Sequence, residues 1–262
     1  MDAAQGGRLA AGTLAGVAVS SPLFPRAAVI RRVNGEGALL LGGGRALLMQ
    51  IAHPRVAQGV ADHSDFQRDP FRRLQGTLDA MVTIVFGTEA QAREMAAVVG
   101  AVHDRVTGPG YKANDPELLW WVYATLIDTA VRMHARFVRP LTRREAERFY
   151  DESRVVAQVL GVPEPTQQRT LPEFQDYVRH MVGTLEVSDT ARELSRAILR
   201  PGLPGFVVVR QLTAGLTPRP LREQFGLRWD APRKAALLAA GLAARQVLPR
   251  VPAGLRRIPV AA

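Results

Sequence analysis

The chain has 262 residues, 47% of them hydrophobic and 22% charged, a balance that fits a globular domain and excludes a disordered one. Its formal charge of +10 comes almost wholly from arginine, with Lys112 and Lys234 the only lysines, so an anionic cofactor or a membrane surface would suit it. It has no cysteine, which excludes disulfides, iron–sulfur clusters, cysteine-rich zinc sites and a thioether-attached haem.

The arginines are spread along the chain and interleaved with Asp and Glu, so a nucleic-acid partner is not expected. The N-terminal "RLAAGTLAGVAVSSPLFPRAAV" is a poor signal peptide: Asp2 sits in its charged region, and Gly and Ser break its apolar stretch. No run reaches the ~20 apolar residues of a spanning helix. A cytoplasmic protein is expected, with peripheral contact at the inner membrane face as the one membrane option.

From residue 36 the apolar spacing is helical almost throughout. "ALLLGGGRALLMQIAHPRVAQGVADHS" reads as helix interrupted by a break or hinge at Gly42–Gly44. That run lacks the Lys and Ser/Thr of a phosphate loop. Asp69-Pro70 starts a helix that runs to about Phe86 and stops at Gly87. The next spans about Glu89 to Val106, and a loop "GPGYKAN" leads to the same start signal at Asp115-Pro116. The helix that follows, "ELLWWVYATLIDTAVRMHARFV", is apolar on nearly every side and belongs at the centre. Thr142 with Glu145 and Thr170 with Glu173 are capping boxes. A helix over 189–199 stops before Pro201, and "GFVVVRQLTAGL" (205–216) reads as a buried helix, since its valines have no partner strand. A basic amphipathic helix and a Pro-punctuated tail end the chain. The expectation is an all-α, single-domain helical bundle with a central, fully buried helix. Residues 1–34 would be an N-terminal extension, 35–245 the domain and 246–262 the tail.

Chemistry has few places to reside. Gly-x-Ser-x-Gly and the dinucleotide fingerprint are both missing. His53, His63 and Asp62 could supply a His/carboxylate metal site, although no His-Glu-x-x-His pair occurs. His103 falls on an apolar stripe with Ala96, Val99 and Val106, where a satisfied core histidine and a haem ligand are both open readings. Arg73 and Thr77 stand four apart on the preceding helix, as a solvated edge or as a polar pair beside a ligand. Asp128 and Arg132 read as a buried ion pair. Tyr123 and His134 could approach a cofactor but read first as hydrogen-bonded core residues.

Taken together, "LLMQIAHPRVAQGVADHSDFQRDPFRRLQGTLDAMVTIVFG", "VVGAVHDRVTG" and "NDPELLWWVYATLIDTAVRMHARFVRPLTRREAERFY" resemble the all-helical domain shared by the rubber oxygenases (latex-clearing proteins) and the MpaB-type oxygenases, and most of all its short bacterial members. The likeness covers about residues 35–245. It implies a helical fold, a haem b cofactor and O2-dependent cleavage of carbon–carbon double bonds in isoprenoid chains. It makes His103 the axial ligand of the haem iron, and it matches Arg73 and Thr77 to an Arg-x-x-Lys-Thr motif as catalytic residues. The motif's lysine is Gly76 here, which would leave the far face of a haem open. The leading expectation is a haem-dependent oxygenase acting on a hydrophobic small molecule or polymer. Its rivals are a non-catalytic haem-binding or membrane-peripheral protein, and a metal enzyme built on His53, His63 and Asp62.

Overall fold

Helix starts fall where the local chemistry puts them. In the computed structural model, which describes residues 21–63, 70–200 and 206–258, Thr142 caps Glu145 N–H, and the Glu145 side chain caps the N-cap backbone in return. Thr170 and Glu173 do the same, and Asp115 caps the helix that opens with Pro116. The Asp69 cap and the stop at Pro201 lie outside the described residues.

The chain runs through α1 (Val29–Asn34), a 3-10 turn (Gly37–Gly42), α2 (Gly43–Ala52), α3 (Pro54–His63), α4 (Pro70–Phe86) and α5 (Glu89–His103). His53 separates α2 from α3, held extended at φ −77°, ψ 119° as the residue before a proline must be. Helix α5 ends three residues short of the expected Val106. Where a plain loop was expected, Thr107–Gly108 and Tyr111–Lys112 pair as a small antiparallel ribbon, turned at Gly110 with φ +79°.

Next come α6 (Pro116–Met133), a π-helical turn (His134–Val138), α7 (Arg143–Val159), α8 (Leu171–Thr184), α9 (Asp189–Ile198), α10 (Phe206–Leu216), α11 (Arg219–Gln224), α12 (Ala231–Val247) and α13 (Ala253–Arg256). The result is all-α, with α6 at its centre against α1, α2, α7 and α8. Trp120, Trp121, Ile127 and Met133 of α6 are buried, and only its ends, at Pro116, Glu117 and Arg132, surface. Trp120 Nε1 donates to Gln168 Oε1 at 2.9 Å, and Tyr150 packs on Phe174 with ring centroids 4.8 Å apart.

Three expectations change. The segment 206–216 is helical, but Val207 and Val208 are exposed, so α10 is buried only toward its C-terminal half. Gly42–Gly44 does mark a break, where the 3-10 turn gives way to α2, but it is a close-packing site and not a hinge. A Cβ at Gly42 would stand 2.7 Å from Met133 Cγ and Thr129 Cγ2, and one at Gly44 would collide with the Thr213 hydroxyl. Finally, Asp128 does bind Arg132 (2.9 Å), but Arg132 is exposed and the buried cation is Arg45. With 0% of its surface exposed, Arg45 donates to Asp128 Oδ2 (2.5 Å), Thr129 Oγ1 (2.5 Å) and Leu216 O (2.8 Å), tying α2 to α6 and α10.

Candidate functional site

Helices α4 and α5 form an antiparallel hairpin around Gly87 and Thr88, where Thr88 and Gln91 make a further capping box. Near this turn the hairpin is well packed, with Ile84, Val85 and Ala92 buried. Farther out the cover thins: Gln75, Gly76 and Thr77 are exposed, as are Val98 and Val102. His103, the last residue of α5, is half-buried, and so are Ala96, Val99 and Val106. The stripe read from the sequence therefore exists, but as a half-covered face and not as core. A Cβ added at Gly76, or at Gly100 one turn before His103, would meet none of the described residues within 4 Å. Counted outward from the turn, these two glycines lie at about the same level. Arg73 lies one turn before Thr77 on α4, and its side chain falls outside the described residues.

Thr77 also lines an apolar cleft of about 130 Å³ enclosed by the 3-10 turn, α2, α4 and α6. Leu39, Ala46, Met81, Leu126 and Ala130 supply walls, and Ile258 from the C-terminal segment supplies another. That segment is fastened by Ile258 N–H to Gly35 O (2.9 Å) and by Arg256 to the buried carboxylate of Glu36 (3.0 Å). The cleft also takes in Gln50, which the sequence reading passed over. The available signal was the one that singled out His103: a polar side chain inside an apolar run, "ALLMQIA".

The other candidates do not converge. His53 and His63 stand at opposite ends of α3, about 15 Å apart at the helical rise, too far to share one metal ion. His53 Nδ1 accepts from Arg55 N–H (3.2 Å), and burial followed by the Arg55 charge lowers its pKa. His63 Nε2 meets Thr107 O at 2.9 Å. Asp62 accepts from Tyr111 Oη (2.6 Å), a bond that lowers the carboxyl pKa; burial and Asp62 together push the Tyr111 phenol up to about 12. Among the described residues, no three His, Asp or Glu side chains come together to hold a metal ion. Tyr123 and His134 are core residues. Burial raises the Tyr123 pKa, and His134 donates from Nδ1 to Arg139 O (2.7 Å) inside the π-turn while burial lowers its pKa.

A porphyrin would not enter the cleft, whose volume is well below the roughly 300–1,000 Å³ of ordinary cofactor pockets and whose wall does not include His103. What the chain offers a flat macrocycle is the outer flank of the α4–α5 hairpin. There a half-buried imidazole stands beside the open surface at Gly100, with half-buried Ala96 and Val99 on the same face of the helix and Thr77 on the neighbouring one. The donor set on that flank fits one axial nitrogen ligand and an apolar bed.

The structure thus defines an all-α bundle with a small apolar cleft. The chain belongs to the family described as ER-bound oxygenase mpaB/B′/rubber oxygenase, catalytic domain, whose family model matches residues 30–246. It is similar to the uncharacterized proteins Rv2237 of Mycobacterium tuberculosis and Mb2261 of Mycobacterium bovis. Each is 27% identical over 161 residues, covering 58% of this chain. The matched region spans 63% of the length of those relatives. No solved structure matches the chain.

Proposed function

We propose that the protein is a haem-dependent oxygenase of its family, acting with O2 on a hydrophobic, isoprenoid or lipid-like substrate. The observation that carries this reading is the half-buried imidazole of His103 beside the bare surface of Gly100, on a hairpin flank that the rest of the bundle leaves thinly covered. His103 would hold the haem iron through one ring nitrogen. Bound there, haem supplies the dioxygen chemistry.

The chain's own residues do the rest. Gly76 presents no side chain that could compete for the other face of the macrocycle. Thr77, and Arg73 one turn before it, are the donors that would stabilise negative charge developing on the reacting group. The cleft that Thr77 lines would hold an apolar part of the substrate and keep it from water. An absorption spectrum of freshly purified protein, before and after dithionite, is expected to show a Soret band. His103→Ala should lose that band and keep its helical circular dichroism, because the residue ends a helix outside the core. Full haem content in the variant would overturn the ligand assignment.

A second reading concerns location. Among the described residues no helix is long and apolar enough to cross a membrane, yet α12 exposes Leu238, Leu242 (61% exposed) and Val247 next to exposed Lys234. That mixture suits an anionic lipid surface. Sedimentation with phosphatidylglycerol vesicles should pull the protein down at low salt, and Leu238→Glu with Leu242→Glu should release it. Equal sedimentation of this double variant would remove α12 from the contact.

A further inference from the structure

We propose that the cleft between α2, α4 and α6 binds a small neutral molecule with an apolar skeleton of about five or six carbons and one hydrogen-bonding oxygen, and that the Gln50 amide recognises that oxygen. That the bound molecule is the substrate rests on the oxygenase reading. That it binds does not.

The argument begins with a polar group out of place. Gln50 is only 7% exposed, in a helix whose neighbouring residues Leu48, Met49, Ile51 and Ala52 are buried apolar side chains. Its side chain lines the cleft, and no hydrogen bond ties its amide to any described residue. Buried side-chain amides in native proteins are almost always paired, because leaving one dry and unpaired opposes folding. A buried amide that opens into a cavity is suited to pairing with whatever enters.

The walls set the rest of the chemistry. None of the described residues that line the cleft is charged, so a carboxylate or a phosphate would lose its hydration with no described cation to replace it. The other deep polar group, Thr129 Oγ1, already accepts from Arg45. Asn34 and Thr77 are both more exposed than Gln50. The volume of about 130 Å³ is close to the roughly 150 Å³ of an engineered apolar cavity in another protein that takes benzene. An alcohol, aldehyde or ketone of that size fits; a long chain could place only its oxygenated end there. Ile258 covers one side through the fastening at Gly35 and Glu36, while exposed Leu40 and Thr77 mark an open mouth by which the ligand would enter.

The test uses the full chain, with no need for haem or O2. Two probes share one branched skeleton, 3-methyl-2-buten-1-ol and 2-methyl-2-butene, and binding is followed by NMR chemical-shift titration in sealed tubes. The alcohol is expected to bind about tenfold more tightly, the scale of one well-made hydrogen bond. Gln50→Leu should equalise the two probes and leave the melting temperature unchanged or higher, because it removes an unpaired buried amide. Ala46→Leu, which fills the cleft, should weaken both.

Equal affinity of the two probes for the native chain would overturn the proposal, since the amide would then be served by water. A surviving alcohol preference in Gln50→Leu, or a fall in its melting temperature, would overturn it by making Gln50 a structural residue. The two readings fail separately: a Soret band without probe binding sinks this inference alone, and probe binding without a Soret band sinks the oxygenase reading alone.

Discussion

Arg45→Leu is expected to destabilise the fold by about 3–5 kcal/mol in urea unfolding, the cost of stranding one half of a buried ion pair. The guanidinium is fully buried and gives all its described hydrogen bonds to three groups on two helices, so removing it leaves Asp128 and Leu216 O short of a donor. The charge itself contributes little net stability, because bringing it out of water offsets most of the attraction. Arg45→Leu combined with Asp128→Leu should therefore recover most of the loss. A double variant as unstable as Arg45→Leu alone would mean that shape, and not the carboxylate left with Arg132 as its described partner, is what Arg45 supplies.

The same pair sets an acid limit. Burial alone would raise the Asp128 pKa, but Arg45 and Arg132 outweigh it and hold the carboxyl below its ordinary value. A folded-state pKa below the unfolded one stabilises the protein fully above about pH 4, and the contribution is lost as pH falls through the lower value. Chemical-denaturation midpoints should fall below about pH 4 in the native chain. In Asp128→Asn, less stable at neutral pH, the fall should be shallower. An equally steep fall would assign the acid sensitivity to other carboxylates.

Gly44→Val is the second large effect, expected to cost about 1–3 kcal/mol or more by overpacking. Thr213 of α10 is wholly buried and occupies the place a side chain at Gly44 would need, so α2 and α10 would have to part. Helix propensity points the other way, since glycine inside a helix is worse than alanine by about 1 kcal/mol. The comparison with Gly183→Ala in α8 separates the two effects. No described residue lies within 4 Å of a Cβ at Gly183, so that change should be neutral or stabilising. If Gly44→Val melts no lower than the native chain, the contact between α2 and α10 is looser than its geometry.

How far a residue's role could be read depended on how far away its partner sits. The capping boxes at Thr142 and Thr170 were legible because donor and acceptor lie three residues apart, so the sequence contains the whole interaction. The extended conformation at His53 follows from Pro54, one residue on. The central place of α6 follows from its composition, since a helix apolar all round must be covered all round.

The candidate site was legible only as a set of residue types. That His103 shares a stripe with Ala96 and Val99 is periodicity. That the stripe is half-covered depends on how little the bundle packs against the outer hairpin. Arg132 looked like the buried partner of Asp128 because it is one helical turn away, yet the buried partner comes from α2, 83 positions earlier. His53 and His63 looked like a pair until the straight course of α3 held them at its two ends.

By itself, then, the sequence determined the class of fold, the capped starts of α6, α7 and α8 and the family, all matters of short-range chemistry and helical period. Tertiary structure alone decided which cation is buried, why the glycine run must be glycine, and that Gln50 faces a cavity. Each depends on the approach of elements far apart in the chain, and packing, not local preference, sets those distances.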